Sequence, residues 1–256
     1  MDLFQCKDPL SLDLKELYDL NWPFNLYFQS LITKEAEKIK LWLDNLEKPR
    51  VAILFFRGSF NVIGDREYFD CGESLRKLVG NLNNNSSIND LRVASLPKKL
   101  VPKKIQGFRL IKEVCCGLFY LSPENFMPVK TNIEIKPLVR KDACEVVKNT
   151  SYEIDEDYVL RCISIAPSVA VKENGELLCY MLVHLNGSIG MLFTHKTHRK
   201  RGFATSAISR LTEKQIKKGN SVFCYIVNEN NDSRRVFQRL GFEQEASVSW
   251  LQYEMR

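Results

Sequence analysis

The sequence predicts an α/β chain, a mixed central sheet flanked by helices, and three observations carry that reading. Short β-rich runs alternate with amphipathic helical ones through the second half of the chain. An apolar run ending Leu192-Phe193-Thr194 passes through Arg199-Lys200-Arg201 and Gly202 into a helical pattern over 204–218. A second such pair follows, a β-rich run over 221–227 and a helix over 232–240, closed by Gly241-Phe242. Glycine just past a helix end is a common stop, because it accepts the left-handed conformation.

The elements follow in order. In the first half, residues 24–46 include a long amphipathic helix, and Val51-Ala52-Ile53-Leu54-Phe55-Phe56 is a buried strand. Residues 81–85, with Ser86-Ser87, form a polar low-complexity loop. Residues 91–96 and 117–121 are further strands. A boundary falls between Pro123 and Lys130, where Pro128 and polar residues interrupt the pattern. This gives a divergent α/β half over 1–128 and a second domain over 129–256.

In the second domain, residues 132–138 alternate like a strand, and 142–152 and 155–165 read as helices. The latter begins with acids, which the helix dipole favours. Residues 168–172, 176–184 and 188–194 form a three-strand meander, turned at Asn174-Gly175 and Asn186-Gly187. Ala204, Ala207, Ile208, Leu211 and Ile216 lie near one face of the next helix, which Gly219 ends. A last strand lies near 248–253.

The turn at Gly202 carries the chemistry. Glycine has no Cβ, so a ligand can approach its backbone. The first amides of the following helix lack intrahelical partners and, with the helix dipole, favour an anion. Arg199, Lys200 and Arg201 add charge there, so the expected guest is a phosphate or pyrophosphate.

Composition limits the alternatives. The chain has 256 residues, is 45% hydrophobic and carries a net charge of +6. The aromatic residues sit in apolar runs rather than among the lysines, so no stacking platform for nucleic acid is expected. No window is long and apolar enough to span a membrane. The eight cysteines lack paired zinc-like spacing and read as reduced core thiols, with no metal site expected. The start of the chain has no apolar signal segment and is too acidic for a typical mitochondrial presequence. An intracellular, by default cytoplasmic, location is expected, and the Asn84, Asn85 and Asn149 sequons then carry no sugar.

The pattern Arg-x-x-Gly-x-Ala over Arg199 to Ala204 resembles the pyrophosphate loop of the GCN5-related N-acetyltransferases (GNATs). The run from Asn230 through Val236-Phe237-Gln238-Arg239-Leu240-Gly241-Phe242 resembles their second signature. The order β-α-α-β-β-β-α-β-α-β of the second half matches that fold. A divergent half before it, together with Arg161-Cys162-Ile163, Pro167-Ser168-Val169-Ala170 and Glu173-Asn174-Gly175, is similar to the glycine N-acyltransferase-like family. The resemblance allows a mitochondrial location.

What it implies is an acyl-CoA-dependent transfer to a small amine such as glycine or another amino acid. The pantetheine arm would add to the backbone of Leu192, Phe193 and Thr194 as an extra strand, with an amide of Leu192 or Phe193 polarising the thioester carbonyl. The pyrophosphate would rest on Arg199, Lys200, Arg201, Gly202, Phe203, Ala204 and Thr205, and Asn230 and Phe237 would complete the cofactor site. Asn230 reads equally as a helix cap.

The base departs from the pattern. Phe237 stands where many GNATs have a tyrosine acid, and Asn231 stands where the glycine-conjugating enzymes have a glutamate. Glu229 and His184 are the candidates for a base, with Asp232 and Tyr225 nearby. Two other readings stay open: a non-catalytic acyl-CoA-binding module, and a peptide or protein N-acetyltransferase.

Overall fold

The computed structural model describes residues 2–65, 67, 69–83, 90–150 and 153–256. The chain forms two compact units, Met1–Leu118 with Glu245–Arg256, and Phe119–Gln244. The segment expected to separate the halves lies inside the second unit. There Met127 donates its amide to Leu240 at 3.1 Å, and Val129 to Ser209 Oγ at 3.0 Å. The last residues return to the first unit, which the division at 128/129 does not anticipate.

The first unit opens with β1 (Phe4–Cys6), α1 (Lys15–Leu20), α2 (Asn25–Glu35) and β2 (Lys40–Leu43). The long helix expected within 24–46 is α2, which ends at Glu35. A 3₁₀ turn over Ala36–Lys38 and the strand Lys-Leu-Trp-Leu take the remainder, because Leu41, Trp42 and Leu43 are all buried against neighbouring strands. β3 (Val51–Phe56) and β4 (Ser59–Gly64) form a hairpin whose turn, Arg57-Gly58, has positive φ at both residues. That is the type I′ geometry matching strand twist.

After β4 come α3 (Cys71–Asn83), β5 (Asp90–Pro97) and β6 (Phe108–Leu121), the last running into the second unit. Asn81 to Asn83, expected in a loop, belong to α3; the rest of that expected loop and the 84 and 85 sequons lie outside the described residues. The β4–β5 pair is parallel, and Asn61 fastens it by donating to the Ala94 carbonyl at 2.7 Å. Ile53, Val62, Leu75, Val79, Leu91 and Val93 build the core beneath α3.

In the second unit the expected strand over 132–138 is a single bridge, Lys136 with Ala170. Pro137 follows that bridge and has no amide to extend a ladder. α4 (Ala143–Lys148) is shorter than expected, ending at Asn149, whose side chain donates back to the Glu145 carbonyl at 3.0 Å. Residues 151–152 lie outside the described set. α5 (Glu156–Ile165) starts on Asp155, which accepts from the Tyr158 amide at 2.6 Å.

The meander follows as β7 (Ser168–Glu173), β8 (Glu176–Val183) and β9 (Ile189–Thr194), a separate three-stranded antiparallel sheet. α6 (Phe203–Lys217), β10 (Val222–Val227) and α7 (Asn231–Arg239) complete the unit. Gly241 sits at φ +97, where a Cβ would stand 1.9 Å from the Asn125 carbonyl, so both conformation and space demand glycine there. Met181, Ile208, Leu211, Cys224, Leu240 and Phe242 lie in one core between α6 and the strands. β11 (Glu243–Met255) then pairs antiparallel with β5, with a bulge between Ser249 and Leu251.

Candidate acyl-donor site

β9 is the edge of its sheet. It pairs with β8 on one side, while β10, its neighbour on the other, belongs to a different sheet. Among the described residues no strand therefore pairs with 191–194 on that side. The register slips between Tyr180 and Leu182, and Met191 opposite takes φ +52. This is a β-bulge, which locally re-aims the strand. A methionine gives no sign of a left-handed residue, so the bulge was invisible in the sequence.

The side chains of this strand are engaged inward. Phe193 stacks on Tyr180, ring centroids 5.4 Å apart, and Thr194 Oγ1 donates to Cys179 Sγ at 3.4 Å. Leu192 packs against the core. What this edge leaves exposed for a ligand is backbone rather than these side chains.

The loop after β9 is built from short-range hydrogen bonds. His195 Nδ1 and His198 Nδ1 flank Thr197 Oγ1 at 2.8 and 2.7 Å, and Arg199 Nε donates to the Thr194 carbonyl at 3.4 Å. Lys200 takes φ +62 and Gly202 φ +81. Lysine pays a conformational cost of about 1–2 kcal/mol in that region, so the fold holds this turn rather than the residue preferring it. Alternating left-handed residues turn successive amides toward one concavity, a geometry suited to anions.

Gly202 is the N-cap of α6 and supplies no capping side chain. The amides of Phe203, Ala204 and Thr205 lie in the first turn, where no intrahelical acceptor exists. A Cβ at Gly202 would meet nothing within 4 Å, so the space above the turn is open. Arg199, Lys200, Arg201 and Gly202 are exposed, Ala204 and Thr205 half-buried, and Phe203 buried as the helix anchor. Arg201 lies over the Phe203 ring at 4.7 Å and pairs with Glu173 at 3.0 Å. The structure thus brings the whole predicted loop together at one helix start.

The residues of the second signature divide. Asn230 is the N-cap of α7, its Oδ1 accepting from the Ser233 amide at 3.1 Å. Phe237 is buried and meets Phe242 edge to face at 5.0 Å. Its position is that of a core residue, reached by the helical spacing from Val236 to Leu240. Glu229 lies exposed in the turn after β10.

His184 follows β8 and is half-buried. Its Nδ1 lies 2.9 Å from the Tyr158 hydroxyl, and its Nε2 edge faces the Gly190 backbone. Burial pushes the imidazole down to about 4, so it is neutral at pH 7. Tyr158 had no signal in the sequence: it meets His184 only because α5 packs on β8. Among the described residues no group of three or more His, Cys, Asp or Glu is arranged to hold a metal.

The turn after β4 in the first unit differs at each of these points. β4 is paired on both sides, with β3 and β5. One amide in the first turn of α3 is already taken, since Asp70 Oδ1 accepts from the Glu73 amide at 2.9 Å. That carboxylate would repel a phosphate.

The model of a protein family described as FR47-like protein matches residues 169–251. No curated protein matches the chain. Solved structures do. A Drosophila protein is 15% identical, with 98% of this chain and 97% of that chain covered at a TM-score of 0.78. A putative GNAT-family acetyltransferase from Novosphingobium aromaticivorans is 14% identical, with 93% and 99% covered at 0.65. A tandem GNAT protein from the clavulanic acid biosynthesis pathway is 14% identical, with 99% and 98% covered at 0.63. These likenesses, with the bulged open edge of β9 and the glycine-capped start of α6, give the chain the fold of the GCN5-related N-acetyltransferases.

Proposed function

We propose that the second unit binds an acyl-CoA and transfers its acyl group to a small amine, such as glycine or another amino acid. The observation that carries this is the start of α6: a helix N-terminus with no capping side chain, in open space, beneath a basic turn with two left-handed residues. A diphosphate fits that concavity by charge and by donor supply. The unpaired edge of β9 beside it suits an extended amide-bearing arm. The acyl-CoA would supply an activated thioester, so the chain's own residues need only hold it, polarise the carbonyl and take a proton from the amine.

The residues divide that work. Arg199, Lys200 and Arg201 supply charge, and the amides of Phe203, Ala204 and Thr205 supply donors. A backbone amide of Leu192 or Phe193, beside the bulge, would donate to the thioester carbonyl. Glu229, exposed at the end of β10, is the side chain assigned to accept the amine proton. Burial takes the His184 imidazole down to about 4, so it is a weaker base than an ordinary histidine.

A second reading, a binding module without turnover, is favoured by Phe237. It is buried and has no proton to donate to a departing thiolate. One experiment separates the two. Calorimetry with coenzyme A should show saturable binding that Gly202→Glu abolishes, and a thiol-release assay with acetyl-CoA and a panel of amino acids, arylalkylamines, polyamines and peptides should show turnover. Unchanged affinity in folded Gly202→Glu would overturn the site. Binding with no thiol release from any amine would leave the module reading, and release with peptides alone would move the acceptor to peptides.

A further inference from the structure

The first unit holds a cluster of reactive side chains that the acyl-donor site does not use. Glu113 and Cys115 lie two apart on β6 and so share one face. Lys98 follows β5, and Ser249 stands on β11 opposite Leu96. Glu113 Oε1 accepts from Lys98 Nζ at 2.7 Å, from Ser249 Oγ at 2.7 Å and from the Cys115 thiol at 3.5 Å. Lys98 Nζ also stands 3.5 Å from Cys115 Sγ, and Ser249 Oγ 3.9 Å from it. A thiol thus has a base and a cation in contact, and a primary amine within the reach of one acyl group.

The charges support the arrangement. Lys98 and the Ser249 hydroxyl hold the Glu113 carboxyl below its usual range, so it is ionised, and the same contact raises Lys98 and keeps it a cation beside the thiol. Lys98 itself is exposed, and Cys115 is half-buried rather than enclosed. Cys71, Cys116, Cys162, Cys179 and Cys224 are buried. A nucleophile beside its base, with a cation to stabilise the thiolate, is the arrangement covalent catalysis requires.

We propose that Cys115 and Lys98 form a self-acylation site that takes acyl groups from thioesters. In the first step the Cys115 proton passes to Glu113, and the sulfur forms a bond to the thioester carbonyl carbon. The donor's C–S bond breaks, and its thiolate leaves and takes up that proton. In the second step the Lys98 ammonium gives one proton to Glu113, which passes it to solvent, and the freed nitrogen bonds to the same carbonyl carbon. The Cys115 C–S bond breaks, and the thiolate takes the second proton of the attacking nitrogen. The sum is thioester plus lysine ammonium giving thiol, amide and one proton released to solvent, with no change in oxidation state. The amide product removes the charge of Lys98 and its hydrogen bond to Glu113.

The proposal rests on the acyl-CoA reading only for the natural donor, since any unhindered thioester serves the chemistry. The test incubates the full chain with S-acetyl-N-acetylcysteamine, which lacks phosphates and needs no cofactor loop, and maps acetylation by peptide mass spectrometry. Lys98 should be acetylated at least about tenfold faster than its neighbours Lys99 and Lys103, because proximity raises the effective concentration of the acyl group. Cys115→Ser should bring Lys98 down to the rate of those neighbours. Lys98→Arg should leave a hydroxylamine-labile acetyl group on Cys115 in excess of Cys6 and Cys144. Acetylation of Lys98 no faster than that of Lys99, or undiminished in folded Cys115→Ser, would overturn it. Gly202→Glu should label normally with this donor, so loss of coenzyme A binding and failure of this site are read separately.

Discussion

A Cβ placed on Gly190 would stand 2.4 Å from His184 Nε2, so the imidazole fills the space that any side chain at 190 would need. Gly190 pairs with Leu182 across the meander and immediately precedes the bulged Met191. The glycine therefore sets where His184 lies, and His184 in turn meets Tyr158.

Gly190→Ala should destabilise the chain by about 1–3 kcal/mol, the usual cost of overpacking. Placing His184→Ala in the same chain should relieve most of that penalty, because the clashing ring is gone. A double-mutant cycle by urea unfolding measures the coupling. Additive effects would mean that the ring and Gly190 do not compete for one space.

Acid should weaken the native state through His184. Its folded value of about 4 lies below the unfolded value near 6.5. Between those limits the unfolded chain binds a proton that the native chain does not, so stability rises with pH across the window and is lost as pH falls through it. Between pH 7 and pH 4.5 the protein should lose on the order of 1–3 kcal/mol more than His184→Gln does. Parallel pH profiles for the two proteins would contradict this.

Lys172 and Asp142 form an enclosed ion pair in the second unit. Lys172 Nζ lies 2.7 Å from both carboxylate oxygens, and Asp142 Oδ2 also accepts from the Val139 amide at 2.8 Å. Their side chains are 20% and 8% exposed, so removing the lysine leaves an uncompensated buried charge. Lys172→Met should cost about 3–5 kcal/mol. Lys172→Met with Asp142→Asn should recover much of it. A loss below 1 kcal/mol in thermal or urea unfolding would show that water already compensates Asp142.

Glu229→Gln should lower the rate of acyl transfer by about 10²–10⁴-fold while leaving coenzyme A affinity near that of the parent, since a positioned base typically contributes that much. The deficit should shrink as pH rises and free amine becomes plentiful. The measurement is kcat/KM against pH with the best acceptor amine. A change under about threefold in this variant and in His184→Ala alike would place the proton with water or with another group.

The order and type of most elements of the second unit were legible before folding. Residues 168–194 alternate and turn at two Asn-Gly pairs, and 203–217 carry a single apolar stripe, so local periodicity decided them. The loop from Arg199 to Thr205 was legible for the same reason: glycine, basic residues and a helix start are all local signals. Where local signals conflicted, the reading failed. Lys40 to Leu43 could continue a helix, and only the partner strands β1 and β3 make them extended. Arg57-Gly58 lacks the Asn-Gly signature, and β4 went unread with it.

The sequence by itself determined the periodicity, the glycine turn before α6 and its net positive charge, because each depends on neighbours within one helical turn or one strand. Tertiary structure alone decided that Met191 and Lys200 take left-handed conformations, that β9 has one partner strand among the described residues, and that residues 245–256 return to the first unit. It also decided that Lys98, Glu113, Cys115 and Ser249 meet. These are contacts between residues far apart in the chain, and no local propensity records the packing energy that holds them.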